Sequence, residues 1–291
     1  MNRIRVAGAL ALAGLLAALA IPSVPAAAQR PAPLTPGLLR VCADPENMPF
    51  SNQKGEGLEN KVAELLARTW NSRLEYVWWA APRGLSRMLN GQYCDVLIQA
   101  PAGYELAGVT RPYYRTGYVI VTRRDRGLDI RSLDDPRLKT LKIGVHVYAN
   151  DAENSPPAMA LSAHGVVGNL VGFGTVYLGG QDHPEDIVKA VVDGKVDLAI
   201  VWGPIAGYYA KQLGADLVLT PLEDDSVSGI PFQFSMGMAT RRRERALRDS
   251  LQQFLDANGP ALRAILQDFG VPLLPLPADT ARRVGAATPA P

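Results

Sequence analysis

A repeated alternation of short apolar strands and amphipathic helices is the feature that most restricts the fold of this chain. LLRVCA (38–43) is a short apolar run, and GLENKVAELLARTW (57–70) places its apolar side chains on one helical face. RLEYVWW (73–79) and CDVLIQA (94–100) predict two further strands. Such alternation predicts an α/β fold in which helices cover a parallel sheet.

The same cycle begins again in the second half of the chain. Strands are predicted at 141–147, 196–203 and 232–240, and helices at 155–165, 186–194 and, as one long amphipathic helix, 243–270. Two sets of units with a late return predict two lobes, namely residues 38–117 with 232–271, and residues 118–231. The hinges are expected near 117–120 and 229–232. The proline- and alanine-rich tail, 272–291, is predicted to be disordered.

The first 28 residues read as a secretory signal peptide. Arg3 and Arg5 precede an apolar stretch that ends in small residues, Ala26 to Ala28. The apolar run from Val6 is shorter than the roughly 20 residues that a spanning helix needs. We therefore expect cleavage after Ala28, a periplasmic protein, and no membrane span in the mature chain.

Charge and cysteine content narrow the classes of function. Without residues 1–28 the chain keeps 28 basic and 28 acidic residues, because the leader holds two arginines and no acid. A net charge of zero makes nucleic acid an improbable partner. Cys42 and Cys94 are the two cysteines, and export favours a structural disulfide between them.

Several segments, in order and at characteristic spacing, resemble type II periplasmic solute-binding proteins. They are LRVCADPENMPFSNQKGEGLENKVAELLA, RPYYRTGYVIV and VVDGKVDLAIVWGPIAGYY. Within that superfamily the CADPENMPFSN opening, the WWAAPRG run and the NDAENSPPA segment resemble the J-type accessory proteins (MxaJ and XoxJ) of methanol dehydrogenase systems. The resemblance implies a periplasmic-binding-protein-like fold of type II, with two α/β lobes joined by a two-segment hinge.

The chain departs from the amino-acid binders of that superfamily where they hold their ligand. Counting back from Pro112, Gly103 stands where those proteins carry an arginine for the ligand carboxylate, and Val109 and Thr110 replace a Phe-Ser pair. After the second-lobe strand, Trp202 and Gly203 stand where an aspartate would meet the ammonium group. A pocket without these charges is not expected to retain a zwitterion.

Ligands of open α/β sheets bind beyond the carboxyl ends of the strands, which singles out the loops that follow them. Asp44 is open to two interpretations, as a ligand acceptor or as the turn residue of an Asp-Pro pair. Glu59 and Asn60 are expected to fix a helix start. The candidate ligand- or partner-binding residues are Asp44, Asn47, Phe50, Asn52, Trp79, Arg83, Tyr104, Asn150, Asp151 and Trp202.

Catalysis and metal binding find no support in the sequence. The three histidines, His146, His164 and His183, stand apart with no metal-ligand spacing, and no catalytic motif is present. We expect no enzyme activity, no catalytic residue, no metal site and no cofactor. The charge runs 223–225 and 241–245 are interpreted as solvated surface, with docking of a basic partner as an alternative for 223–225.

The resemblance implies a periplasmic accessory factor that binds a methanol dehydrogenase dependent on pyrroloquinoline quinone (PQQ) and containing calcium or a lanthanide. Protein binding would assist assembly or activation of that enzyme. The alternative is a substrate-binding protein that delivers a small organic solute to an ABC transporter, so a small organic ligand is left open as a partner.

Overall fold

The computed structural model describes residues 35–79, 84–147, 155–175 and 183–277. The strands are β1 Leu38–Ala43, β2 Glu46–Asn47, β3 Ser51–Asn52, β4 Arg73–Trp78, β5 Leu97–Pro101, β6 Gly108–Val109, β7 Tyr114–Arg123, β8 Ile143–Val147, β9 Leu170–Gly174, β10 Leu198–Trp202, β11 Leu217–Pro221 and β12 Gln233–Thr240. The helices are α1 Leu58–Thr69, α2 Leu85–Asn90, α3 Pro156–Ala163, α4 Asp186–Val192, α5 Gly203–Leu213, α6 Arg245–Ala257 and α7 Gly259–Asp268.

The sheets are mixed, whereas the sequence predicts a purely parallel arrangement. β1 pairs with β4 in parallel, and β8 pairs in parallel with β9 and β10. An eight-stranded sheet has the order β5-β12-β7-β10-β8-β9, with β6 on β12 and β11 on β7. β7 and β12 run antiparallel to their neighbours because they carry the chain between its two sets of β/α units.

The long strand β7 changes partner part-way along its length. From Tyr114 to Gly117 it pairs with β12, and from Tyr118 to Thr122 it pairs with β10. Gly117 allows this close approach, since a Cβ there would lie 2.5 Å from the backbone oxygen of Phe232. The change of partner falls within the predicted first hinge segment.

The apolar core consists of several clusters, which form two sets. One set of clusters draws on β1, α1, β5, β12 and the C-terminal helices, with Leu66, Val96 and Phe254 among its buried residues. A second set draws on β7, α3, α4, β8 and β10, with Ile120 and Ile187 fully buried. Both sets lie on helix-covered faces of strands, as the alternating sequence pattern predicts.

Helix ends are explained by local sequence, with one correction. At the start of α1, the Oδ1 atom of Asn60 accepts a hydrogen bond of 3.0 Å from the backbone N–H of Gly57. Proline occupies the first turn of α3. The single helix predicted over 243–270 is wrong, because α6 ends at Ala257 and α7 begins at Gly259. The Asn-Gly-Pro sequence at this point interrupts the helix.

A disulfide and a buried ion cluster fasten the first set of units. Cys42 and Cys94 are bonded, with their Cα atoms 5.4 Å apart. Beside them Asp95, 1% exposed, receives 2.8 Å and 2.9 Å hydrogen bonds from Arg40 and Arg241. The sequence interpretation of Arg241 as solvated surface is wrong, because its guanidinium group is buried and also bonds Glu244.

The charge run 223–225 also has an internal role. Asp224 Oδ1 accepts hydrogen bonds from the backbone N–H groups of Phe232 and Gln233 at 2.8 Å and 3.0 Å. Asp225 lies 2.8 Å from His164 Nε2 and is bonded by Ser228, and these bonds hold its pKa at about 2 despite burial. Asp224 and Asp225 thus fix the loop ahead of β12, while Glu223 and Asp224 are exposed to solvent as the sequence predicts.

The end of the described chain packs against β7 and α5. Thr116 Oγ1 donates a 2.8 Å hydrogen bond to the backbone oxygen of Pro272, and the Leu274 N–H bonds the Arg115 oxygen at 2.8 Å. The prediction of a disordered tail from residue 272 onward is thus wrong for the first residues of that tail, because hydrogen bonds with β7 hold them in place. Within the described ranges, every helix is too short or too polar to cross a bilayer.

Candidate functional site

The sequence places a binding cleft at the loops that follow the strands, among them β1, β4, β5 and β10. Phe50 follows β1, and Trp202 ends β10. Of the predicted cleft residues, Arg83, Asn150 and Asp151 lie outside the described residues. The others fall into three separate environments.

The first environment is the loop between β1 and α1, which is folded on itself. Asp44 is 7% exposed, and its Oδ1 atom accepts a 2.9 Å hydrogen bond from the Glu46 N–H. That geometry is the turn role that Asp-Pro sequences favour. Asn52 bonds Glu56 through both ends of its amide group, and Asn47 pairs with Ser51 in a two-strand ribbon. These side chains shape the loop.

Phe50 is the residue through which this loop reaches the second set of units. Its ring is 8% exposed and belongs to the apolar cluster formed by β7, α4, β10 and α5, which includes Val119 and Ile205. Gly57 permits the insertion, since a Cβ at that position would lie 2.3 Å from the Phe50 oxygen. Phe50, which the sequence predicts to line a binding cleft, instead packs against the opposite half of the chain.

Trp202 lies in a second environment, an aromatic chain across the crossing strands. We call Tyr118, Trp202, Phe232 and Phe234 the crossing-strand aromatic cluster. Ring centroids are 5.3 Å apart for Tyr118 and Trp202, and 5.6 Å apart for Trp202 and Phe234. The edge-to-face geometry is the preferred one for such rings. Trp202 also packs against the cluster that contains Phe50, so these two predicted residues adjoin the same apolar cluster.

Helix α5 is tied to the C-terminal end of α7 beside this cluster. The rings of Tyr208 and Phe269 stack with centroids 5.5 Å apart, and Lys211 Nζ donates a 2.7 Å hydrogen bond to the Asp268 oxygen. Gly207 and Gly270 allow the backbones to touch, because a Cβ on Gly207 would lie 1.9 Å from the Gly270 oxygen. The two halves of the chain are therefore joined by contacts outside the crossing strands.

Trp79 and Tyr104 lie in the third environment. Both pack against the cluster around Cys42, Cys94 and Met88, behind β5. They therefore share one cluster, which is distinct from the cluster that holds Phe50 and Trp202. The neighbouring Trp78 stacks on Tyr76 with ring centroids 4.7 Å apart.

Glu59, which the sequence predicts to fix the start of a helix, carries a buried carboxyl group near Asp44. Glu59 is 8% exposed, and burial raises the pKa of its carboxyl to about 7, with Asp44 raising it further and a hydrogen bond with Gln99 opposing the rise. Gln99 Oε1 also accepts a hydrogen bond from the Tyr114 hydroxyl. Burial raises the pKa of Tyr114 well above its usual value, so the hydroxyl stays neutral.

Gln99, Tyr114, Tyr118 and Phe234 are thus site residues that the sequence analysis did not select. Gln99 carries a usable signal, because it is a polar residue in the otherwise apolar run CDVLIQA. The aromatic residues carry none, since their grouping depends on which strands cross. Within the described residues, no three His, Cys, Asp or Glu side chains converge as a metal site.

Comparisons with known proteins identify the family of this chain. Residues 80–271 match the family described as bacterial extracellular solute-binding protein. Protein MoxJ of Methylorubrum extorquens is 32% identical over 294 residues, which cover 93% of this chain and 96% of that protein. The chain belongs to the bacterial extracellular solute-binding proteins. Within them, its similarity to MoxJ extends over nearly its whole length.

Two solved structures of solute-binding-type proteins are similar in both sequence and fold. MxaJ from Methlophaga aminisulfidivorans MPT is 30% identical with a TM-score of 0.72, over 81% of this chain and 100% of that one. The periplasmic binding protein XoxJ from Methylobacterium extorquens AM1 is 34% identical with a TM-score of 0.67, over 82% and 100%. The predicted type II periplasmic-binding-protein-like fold is confirmed.

Proposed function

We propose that this protein is a periplasmic accessory factor of a PQQ-dependent methanol dehydrogenase, and that it assists assembly or activation of the enzyme by binding it. The proposal combines the resemblance to the J-type accessory proteins with the similarity to MoxJ, MxaJ and XoxJ. It includes export by the leader 1–28 and the division into lobes at 117/118 and 231/232. Calcium, a lanthanide and PQQ belong to the dehydrogenase in this proposal.

The packing of Phe50 carries the argument against a solute-carrying role. A solute receptor needs a cleft that a ligand fills and that closes because the ligand favours the closed state. Here the ring of Phe50 is buried in the cluster of the opposite half, where it takes up space that a ligand would need. The stack of Tyr208 on Phe269 adds a second contact between the two halves. The chain's own apolar side chains thus stabilise the closed arrangement.

The positions that hold an amino acid in related binders supply no charge here. Gly103 is exposed with a φ of 82°, and nothing lies within 4 Å of where its Cβ would be. The Thr110 hydroxyl is used internally, because it accepts a 2.9 Å bond from Met238 N–H and donates one to the Arg111 oxygen. A zwitterion entering the region would lose its hydration without a charged partner.

The direct test is binding between the purified mature protein and the purified dehydrogenase from the same organism. Titration calorimetry or interferometry should give saturable binding, and a strain without the protein should accumulate less active dehydrogenase. Unaltered dehydrogenase activity in that strain, together with no binding by the purified partners, would reject the proposal.

The second candidate, a receptor that delivers a small solute to an ABC transporter, is favoured by the family match alone. It predicts that a free metabolite raises the melting temperature, because a ligand that binds only the folded state stabilises it. A thermal-shift screen with amino acids, organic acids, alcohols and PQQ separates the candidates. Our proposal predicts no shift with amino acids.

A further inference from the structure

An exposed basic and aromatic surface lies on the first set of units, where β5 begins. We define the arginine-tyrosine patch as Arg87, Tyr93, Leu106, Arg242 and Arg243. Tyr93 is 61% exposed and Leu106 is 57% exposed, which are unusual values for large apolar side chains. All three arginines are exposed. Among the described residues, none of the three has an ion-pair partner.

Contacts on the backbone bring these residues to one place. Asn90 Nδ2, at the end of α2, donates a 3.2 Å hydrogen bond to the Leu106 oxygen. The ring of Tyr93 lies against Gly91, one turn after Arg87, where a Cβ would be 2.8 Å from its Cε2 atom. A Cβ on Gly108 would lie 3.4 Å from the Arg242 Cα atom.

The segment beneath the patch is held in place by buried hydrogen bonds and a disulfide. Arg241 Nη1 donates hydrogen bonds to the backbone oxygens of Leu89 and Cys94, and its Nη2 bonds the buried Asp95. The disulfide of Cys94 holds the same segment to β1. A surface that is already ordered loses little entropy when a partner binds, which favours affinity.

The positive charge of the patch indicates a partner with an acidic surface. Three arginines outweigh Glu105, the exposed acid next to Leu106, whereas Glu244 is already bonded by Arg241. Tyrosine and arginine are the residue types that most often dominate binding energy at protein interfaces. Tyr93 precedes β5, whereas Leu106 lies in the loop that follows it.

We propose that the arginine-tyrosine patch docks an acidic surface of a folded partner protein, with Tyr93 and Leu106 as its apolar centre. The inference rests on the proposed function, since the partner offered in the test is the dehydrogenase. Electrostatic attraction then speeds encounter, and the apolar centre slows release.

The test compares variants in binding to the purified dehydrogenase. Tyr93→Ala should weaken binding about tenfold. The double variant Arg242→Ser, Arg243→Ser should weaken it several-fold at about 0.05 M salt, and by less at about 0.3 M, because salt screens exposed charges. Arg263→Ser and Val167→Ala remove an exposed arginine and an exposed apolar side chain elsewhere, and should leave binding unchanged. Thermal unfolding of each variant verifies its fold.

The outcomes separate this inference from the proposed function. If the unsubstituted protein binds and the patch variants bind equally well, the patch is refuted and the proposed function stands. If the unsubstituted protein does not bind the dehydrogenase, the patch is refuted, and unaltered dehydrogenase activity in a strain without the protein would then reject the proposed function as well. Binding to anionic vesicles that the same variants abolish, with binding to the dehydrogenase unaffected, would assign the patch to a membrane surface and overturn the inference.

Discussion

Replacing Phe50 by alanine tests whether the closed arrangement is the state of the protein in solution. The ring is 8% exposed, and the cluster around it belongs to the opposite half of the chain. A phenylalanine buries about 200 Å² of surface, and at about 25 cal/mol per Å² its transfer to water costs several kcal/mol before the remaining methyl group is credited. With the cavity that is left, we expect Phe50→Ala to lower the free energy of unfolding by about 3 kcal/mol.

Urea denaturation followed by intrinsic fluorescence measures this change directly, with the slope of the transition as a check on two-state behaviour. Tyr93→Ala is the matched control, since that ring is 61% exposed, and its effect should stay below about 0.5 kcal/mol. A loss of less than about 1 kcal/mol for Phe50→Ala would mean that the ring is largely exposed in solution. That result would refute the self-closed cleft region.

Three further changes have defined outcomes. The folded-state pKa of Glu59 is about 7 against an ordinary 4.5, so the free energy of unfolding should fall as pH rises from 4.5 to 7. Glu59→Gln should remove up to about 3 kcal/mol of that fall, which denaturation curves at pH 5 and pH 8 would measure. The double variant Cys42→Ser, Cys94→Ser opens a loop with a sequence separation of 52 and should lose about 4 kcal/mol by urea titration. Asp95→Ala leaves the guanidinium groups of its two arginine partners without their shared acid and should cost about 3 to 5 kcal/mol, whereas Asp125→Ala at the exposed surface should leave the free energy of unfolding nearly unchanged.

Many of the strands and helices could be predicted from the sequence because they depend on local periodicity, whereas β9, β11 and α5 were not predicted. The apolar alternation that predicts strands at 38–43 and 73–79 reflects burial against neighbouring helices, and β1 and β4 occupy nearly these bounds. The break at Asn258 was missed, because the amphipathic pattern continues on both sides of it while the helix does not.

The candidate site could be predicted only in part, because it depends on which segments meet. Phe50 and Trp202 were both selected as residues that follow strands, and they do share a cluster. That Phe50 packs across the chain depends on Gly57 and on the path of the loop, neither of which has a periodic signal. Arg241 appears in the sequence as one member of an exposed run, and only the tertiary position of Asp95 explains its burial.

The central claim is that this protein binds another protein and does not carry a metabolite. Titration calorimetry of the purified mature chain tests it most directly, with the purified dehydrogenase in one experiment and a pool of amino acids in another. The account predicts saturable heat with the dehydrogenase and none with the amino acids. Stoichiometric capture of an amino acid, with no heat from the dehydrogenase, would contradict it.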